Sequence, residues 1–181
     1  DVQLVVIQSP NIAKLAIGKE KDRKPMDPPP IVQLKLSEAI DHQSHFLNSS
    51  HYFMTVALIE GLGGIQPPII LGSALSGTHV SSLHRLKDTN NQDGAFFIFG
   101  DLSIKVEGTW ALQFNLYEMD QERNSCTYIT ACRSSPFKVQ TQKGWIGMQE
   151  STQLTRTFAE QGVRLRLRKE PRTLLRQGGP S

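Results

Sequence analysis

Strict alternation of apolar and polar side chains over one segment constrains the fold of this chain more than any other feature. Between residues 110 and 117, apolar side chains occupy every second position: Trp110, Leu112, Phe114 and Leu116. Successive side chains of a β-strand point to opposite faces of a sheet, so one set enters a core while the other faces solvent. The segment therefore predicts a half-buried β-strand.

Further segments have strand composition and are separated by glycine, proline or polar bends. They are residues 2–7, 32–36, 52–59, 95–99, 102–106, 126–133, 137–140 and 163–168. One short helix is predicted late in the chain, with Ser151 as N-cap, Leu154 and Phe158 on one face, and Gly162 at its end. Many short strands and one helix favour an all-β sandwich with Greek-key-like connections.

The composition fits one globular domain. Of 181 residues, 38% are hydrophobic and 20% are charged, which is ordinary for a folded protein and too apolar for a disordered one. We expect a domain over residues 1–170 and a flexible basic tail over 171–181. No apolar run reaches the roughly 18 residues that cross a bilayer, so no membrane association is expected. A start at Asp1 suggests a fragment.

The two cysteines flank the strand-like residues 127–131. On one continuous strand Cys126 and Cys132 lie roughly 20 Å apart, which is beyond disulfide reach. We therefore predict two free thiols and a reducing compartment, the cytosol or the nucleus.

No catalytic or metal-binding pattern is present. The five histidines form no close pair with carboxylates, and the glycine-rich residues 61–64 lack the lysine and hydroxyl residue of a phosphate loop. The serine- and glycine-rich residues 73–82 lack a nucleophile elbow. We expect no enzymatic activity, cofactor, metal or small-molecule substrate.

The net charge is only +3, but the basic residues are clustered. The first cluster precedes a triple proline and contains Lys19, Lys21, Arg23 and Lys24. Prolines make this stretch a stiff extended loop, from which lysine and arginine can reach phosphates or base edges. The alternative is a solvated loop partly neutralised by Glu20 and Asp22.

The second cluster is the alternating segment 163–168. A strand there places its apolar residues on the core face and Arg164, Arg166 and Arg168 on the other, about 6.6–7 Å apart. That spacing is comparable with the spacing of phosphates along one DNA strand, and arginine can bind phosphate through two parallel hydrogen bonds. The alternatives are arginines balanced by acidic residues across the sheet and an interface with another subunit.

Several blocks of the sequence, in order, resemble the fungal velvet family. They are KDRKPMDPPPIVQL at residues 21–34, GAFFIFGDLS at 94–103, SPFKV at 135–139, and residues 77–88 and 151–169. The compact spacing between blocks resembles the spore-viability member of the family. The resemblance implies a twisted antiparallel β-sandwich similar to the amino-terminal domain of Rel/NF-κB factors.

The resemblance also implies function. Velvet proteins are nuclear regulators of development, sporulation and secondary metabolism that bind double-stranded DNA as homodimers or as heterodimers with other velvet proteins. It assigns DNA contacts to Lys19, Lys21, Arg23 and Lys24, whereas the three later arginines are candidates from strand geometry alone. The alternative function is a protein-interaction module whose velvet partner supplies DNA recognition, with apolar positions on an edge strand as its critical surface.

Overall fold

The computed structural model describes residues 2–18, 23–37, 51–61, 74–141 and 143–169. Within these ranges the chain forms β-strands and one helix. They are β1 (Val2–Gln8), β2 (Ile12–Lys14), β3 (Ile31–Leu36), β4 (Tyr52–Glu60), β5 (Leu75–Gly77), β6 (Val80–Ser82), β7 (His84–Lys87), β8 (Asp93–Ile98), β9 (Leu102–Ile104), β10 (Gly108–Asp120), β11 (Ser125–Arg133), β12 (Phe137–Gln140) and α1 (Gln153–Glu160). The predicted basic tail lies outside the described residues.

The strands form two main sheets and a small ribbon. The first sheet has the order β1-β3-β8-β7 and is antiparallel throughout. The second has the order β2-β12-β10-β4-β6, and β11 also pairs with β10; only β2 and β12 run parallel. The ribbon consists of β5 and β9. The predicted all-β sandwich is confirmed.

The main core lies between the two sheets. Leu112, Phe114 and Leu116 of β10 are 0% exposed, as the alternation predicted, and they face buried residues of β3 and β8 across the sandwich. The ring centroids of Phe99 and Phe114 are 5.5 Å apart. Burial of apolar surface between the sheets is the main stabilising contribution to such a fold.

A second, smaller core lies on the other face of the first sheet. Ile31, Phe96 and Ile98 project there because neighbouring residues of β3 and β8 face the main core. Helix α1 covers them with Phe158, whose ring centroid is 4.7 Å from that of Phe96. The helix therefore forms a third layer on part of this sheet. It has eight residues, and no helix in the described ranges is long and apolar enough to cross a membrane.

The predicted helix is present, but its N-cap is one residue later than expected. Thr152, not Ser151, accepts a hydrogen bond from the Thr155 N–H, at 3.1 Å. The Ser151 hydroxyl is occupied elsewhere, because it accepts from the Arg168 N–H at 2.7 Å. Gly162 follows the C-cap residue with a φ of +97°, a left-handed conformation that favours glycine.

The predicted strand over residues 163–168 is wrong. This segment is extended but pairs with no strand in the described part of the chain. Val163 and Leu165 pack against the second core, as the alternation suggested, whereas Leu167 is 52% exposed. The segment follows the helix and lies against the loop at Gly100, where no strand among the described residues offers it a ladder of hydrogen bonds.

The strand predicted at residues 137–140 is present with those bounds as β12. The other predicted strands are present with shifted ends, and four short strands, β2, β5, β6 and β7, were not predicted. Both cysteines belong to β11, and both are free thiols, as predicted.

Candidate nucleic-acid interface

One groove brings together basic residues from distant parts of the chain. It has a volume of about 590 Å³ and lies between the residues that follow β8 and the segment that follows α1. Arg23, Arg164 and Arg166 line it, together with Thr78 and Asp101. Three of the seven residues predicted to contact DNA therefore share one concave surface.

Arg23 is fixed in the wall of this groove. Its guanidinium donates from Nη2 to Oδ1 of Asp101 at 2.7 Å and from Nη1 to Oγ of Ser103 at 3.0 Å. Ser103 is buried, and its hydroxyl lies 2.8 Å from that of Ser76. The Arg23 side chain is only 20% exposed, against 52% for Asp101. The ion pair orients the guanidinium and neutralises part of its charge.

Arg164 and Arg166 are exposed, and the residue between them holds them in place. Leu165 packs against the second core and passes close to Gly100, where any Cβ atom would lie 2.9 Å from Leu165 Cδ2. The glycine thus allows the arginine segment to approach the loop after β8. Alternation places the two flanking arginines away from the core, on the groove.

The remaining predicted site residues are placed differently. Arg168 is half-buried and lies with Arg166 beside a small neighbouring cleft, where its backbone N–H bonds to Ser151. Lys24 is half-buried and is not among the residues that line the groove. Lys19 and Lys21 lie outside the described residues.

The proline-rich segment that follows the basic loop is anchored on both sides. Met26 and Asp27 are buried, and the Met26 N–H donates to the Leu102 carbonyl at 2.7 Å. The Asp27 carboxylate accepts from the Gln149 N–H at 2.8 Å, and the Asp27–Pro28 peptide bond is cis. These contacts fix where the basic loop joins the sandwich, which is beside the groove.

A buried polar network connects this segment to the helix. The Gln8 amide donates to the Pro29 carbonyl at 2.8 Å and to the Thr155 hydroxyl at 3.0 Å. The Thr152 hydroxyl donates to Gln8 Oε1 at 2.8 Å. Because buried polar groups are costly when unpaired, this network fixes α1 relative to β1 and thereby positions the arginine segment.

Sequence reasoning did not identify Gln8, Asp101 or Ser103 as parts of the site. Gln8 ends an apolar strand, and Asp101 and Ser103 sit in a bend and a short strand, so no local pattern distinguishes them. The bonds of Asp101 and Ser103 to Arg23, and that of Gln8 to Thr155, join residues 78 to 147 positions apart in the chain. Only the fold brings these groups together.

The chemistry of the groove is that of an anion-binding surface. Guanidinium groups and a threonine hydroxyl offer hydrogen-bond donors, and within the described residues no cluster of histidine, cysteine and carboxylate side chains could hold a metal ion. The perturbed pKa values lie elsewhere: burial lowers the pKa of His84 and raises that of Cys132 to about 11.

Comparison with known proteins identifies relatives along nearly the whole chain. The Velvet factor family model matches residues 2–66 and 62–172. A spore development regulator of Ajellomyces capsulatus, RYP2, is 49% identical over 98% of this chain and 45% of its own length. VOSA, a spore development regulator of Pyricularia oryzae, is 50% identical over 96% of this chain and 34% of its own length.

A third relative, a velvet complex component of Chaetomium globosum, is 45% identical over 96% of this chain and 39% of its own length. The chain thus spans less than half the length of these relatives. The resemblance seen in the sequence blocks, including the likeness to the spore-viability member, is confirmed. From the matched family model and from relatives that share close to half of its residues, this chain belongs to the velvet factor family.

Proposed function

We propose that this chain is the DNA-binding domain of a nuclear regulator of fungal development and sporulation, and of secondary metabolism. It has no enzymatic role and acts as a dimer of velvet domains. The convergence of Arg23, Arg164 and Arg166 on one groove carries the proposal. The names of the spore development regulators that it resembles support the developmental role.

The basic lining of this groove suits double-stranded DNA, which carries closely spaced phosphates along both strands. Arg164 and Arg166 supply exposed guanidinium groups, and each can bind a phosphate through two hydrogen bonds. Asp101 partly neutralises Arg23, so this arginine contributes less net charge than the other two. Its guanidinium, however, is held in one orientation by the carboxylate. The basic loop that carries Lys19, Lys21 and Lys24 joins the sandwich beside the groove and adds further phosphate contacts.

Sequence preference requires contacts to base edges as well as to phosphates. An arginine that pairs with guanine in the major groove is the commonest solution, and an orientation fixed by a carboxylate makes such a contact more selective. Arg23 has that orienting partner in Asp101. We therefore assign base reading to Arg23 and phosphate binding to Arg164 and Arg166.

A second candidate function is a protein-interaction module that leaves DNA recognition to its partner. The long, partly exposed strand β11 favours it, as does the name of the Chaetomium globosum relative, which describes a component of a velvet complex. The two functions differ in whether the chain alone binds a duplex.

The test is binding of the purified chain to a randomised pool of DNA duplexes at two salt concentrations, followed by sequencing of the retained DNA. We expect enrichment of a short motif and an affinity that falls steeply with salt. Replacing Arg164→Ala and Arg166→Ala together should weaken binding at least about tenfold and reduce the salt slope by nearly two, because two phosphate contacts are lost.

Arg123→Ala is the matched control. It removes one arginine that is 85% exposed in the turn between β10 and β11, away from the groove. Its effect on affinity should be small. Equal effects of the control and the groove variants, or no retention of any duplex by folded protein, would contradict DNA binding by the groove.

A further inference from the structure

Strand β11 has one unpaired edge in the described part of the chain. Its residues, Ser125–Arg133, pair with β10 on one side, and no described strand pairs with them on the other. An unpaired edge presents backbone N–H and C=O groups that can bind another strand. At nine residues, β11 is the longest edge strand of the two main sheets in these ranges.

Apart from one bulge, this edge lacks the features that usually prevent association between strands. Residues 125–132 carry no charge and no proline, and residues 125–128 are all exposed. By contrast, the edge strand β7 carries Arg85 and Lys87, and the edge strands β2 and β6 have three residues each. Short length and charge are common means of protecting an edge, so β11 is unusual among these strands.

The pairing of β11 with β10 has one irregularity, and it does not interrupt the strand. The register with β10 shifts between Leu116 and Tyr117, which leaves Ile129 as the extra residue, and pairing continues on both sides of it. The edge strand β1 is also uncharged and lies beside β11. The uncharged edges are thus on the same side of the sandwich.

Apolar side chains accompany the edge on the outer face of the sheet. Tyr128 is 55% exposed and contacts Tyr117 edge to face, with ring centroids 5.8 Å apart. Tyr117 in turn stacks on Phe53 at 5.3 Å, and Met119 is 43% exposed. Exposed aromatic residues are typical anchors of protein interfaces.

The charges at the two ends of β11 are opposite in sign. Glu118, Asp120 and Glu122 surround the turn that precedes the strand, where Arg123 is the one nearby cation among the described residues, and Arg133 ends the strand. Two copies of β11 that pair antiparallel place Arg133 of one copy beside the acidic turn of the other. The edge is therefore complementary in charge to itself in that orientation.

We propose that a second copy of this chain pairs its β11 antiparallel with this β11, so that the larger sheets of both copies form one continuous sheet across a twofold axis. The proposal deepens the dimer in the proposed function, because it assigns the interface to β11 and leaves the arginine groove free for DNA. Backbone hydrogen bonds hold the strands together, and Tyr128 and Arg133 set their register.

The first experiment measures the oligomeric state of the 181-residue chain by sedimentation equilibrium over a range of concentrations. We expect a dimer, and we expect the double variant Thr127→Lys, Tyr128→Lys to associate at least about tenfold more weakly, because like charges then face each other across the axis. Lys138→Glu, an exposed change on β12, is the matched control and should dimerise normally.

A charge-exchange experiment tests the antiparallel register and does not depend on loss of association alone. Arg133→Glu and Glu122→Lys should each weaken the homodimer, and mixing the two variants should restore a dimer, since every contact then joins opposite charges. Circular dichroism and melting of each variant verify the fold. Failure of mixing to restore association between folded variants would overturn the antiparallel pairing.

DNA binding distinguishes this inference from the proposed function. The variants of β11 should lose the dimer but retain salt-dependent binding to DNA, whereas Arg164→Ala with Arg166→Ala should bind DNA at least about tenfold more weakly and remain dimeric. A chain that is monomeric at every concentration, or a dimer that the β11 variants do not weaken, would overturn the β11 interface without affecting the groove.

Discussion

The substitution Phe158→Ala tests whether helix α1 positions the arginine segment. Phe158 is 0% exposed and is the aromatic residue through which the helix contacts the first sheet, at 4.7 Å from Phe96. An eight-residue helix has little stability of its own, so its conformation depends on this packing. Loss of the ring should therefore loosen α1 and the residues that follow it.

The size of the effect follows from the burial of the side chain. Replacing a core phenylalanine with alanine costs about 3–5 kcal/mol, and we expect about 3 kcal/mol because the helix can settle onto the sheet or detach locally. For a domain of this size that corresponds to a fall in melting temperature of roughly 6–12 °C. Val163 and Leu165 pack in the same small core, so Arg164 and Arg166 should lose their fixed position.

Thermal denaturation gives the stability, and hydrogen exchange over residues 153–168 gives the local effect. Gln153→Ala, an exposed change at the start of the helix, is the control and should alter stability by less than about 0.5 kcal/mol. A melting temperature within about 2 °C of the unsubstituted chain, or unchanged exchange over 163–168 in the Phe158→Ala variant, would refute the argument.

The remaining predictions concern a glycine and the two cysteines. Gly77→Ala should destabilise the fold by at least about 2 kcal/mol in urea denaturation, because Gly77 has a φ of +106° and a Cβ atom there would lie 1.9 Å from the Asp101 carbonyl oxygen. Gly147→Ala, with a φ of +101° and open space around it, should cost clearly less; equal costs would mean that the contact with Asp101 is unimportant. At about pH 8 a thiol reagent should modify the exposed Cys126 and leave Cys132 largely unmodified, because burial raises the Cys132 pKa to about 11 and leaves a thiolate fraction of about one in a thousand. Mass spectrometry of the labelled peptides checks this, and equal labelling of both cysteines contradicts it.

Much of the sandwich could be predicted from local pattern. The alternation in β10 correctly predicted which side chains enter the core, because side-chain direction in a strand depends only on position along it. Clustering of basic residues along the chain made Arg23, Arg164 and Arg166 candidates for binding, and the fold brings these three to one groove. The order of the sequence blocks was sufficient to identify the velvet family.

The alternation at residues 163–168 shows what local pattern leaves open. It correctly indicated that Val163 and Leu165 face a core, but the same periodicity occurs in an extended segment that lies on a helix and a loop. A strand exists only where a neighbouring strand completes its hydrogen bonds, and that neighbour is a property of the fold. The N-cap of α1 moved from Ser151 to Thr152 for a similar reason, since Arg168 occupies the Ser151 hydroxyl.

The sequence by itself thus determined the fold class, the buried face of β10 and where the basic residues cluster along the chain. Tertiary structure alone decided that Asp101 orients Arg23, that Gln8 connects β1 to α1, and that three arginines share a groove. Those contacts join residues 78 to 147 positions apart. A periodic pattern indicates only whether each side chain is buried or exposed. Which distant residues contact each other depends on how the sheets and the helix pack together.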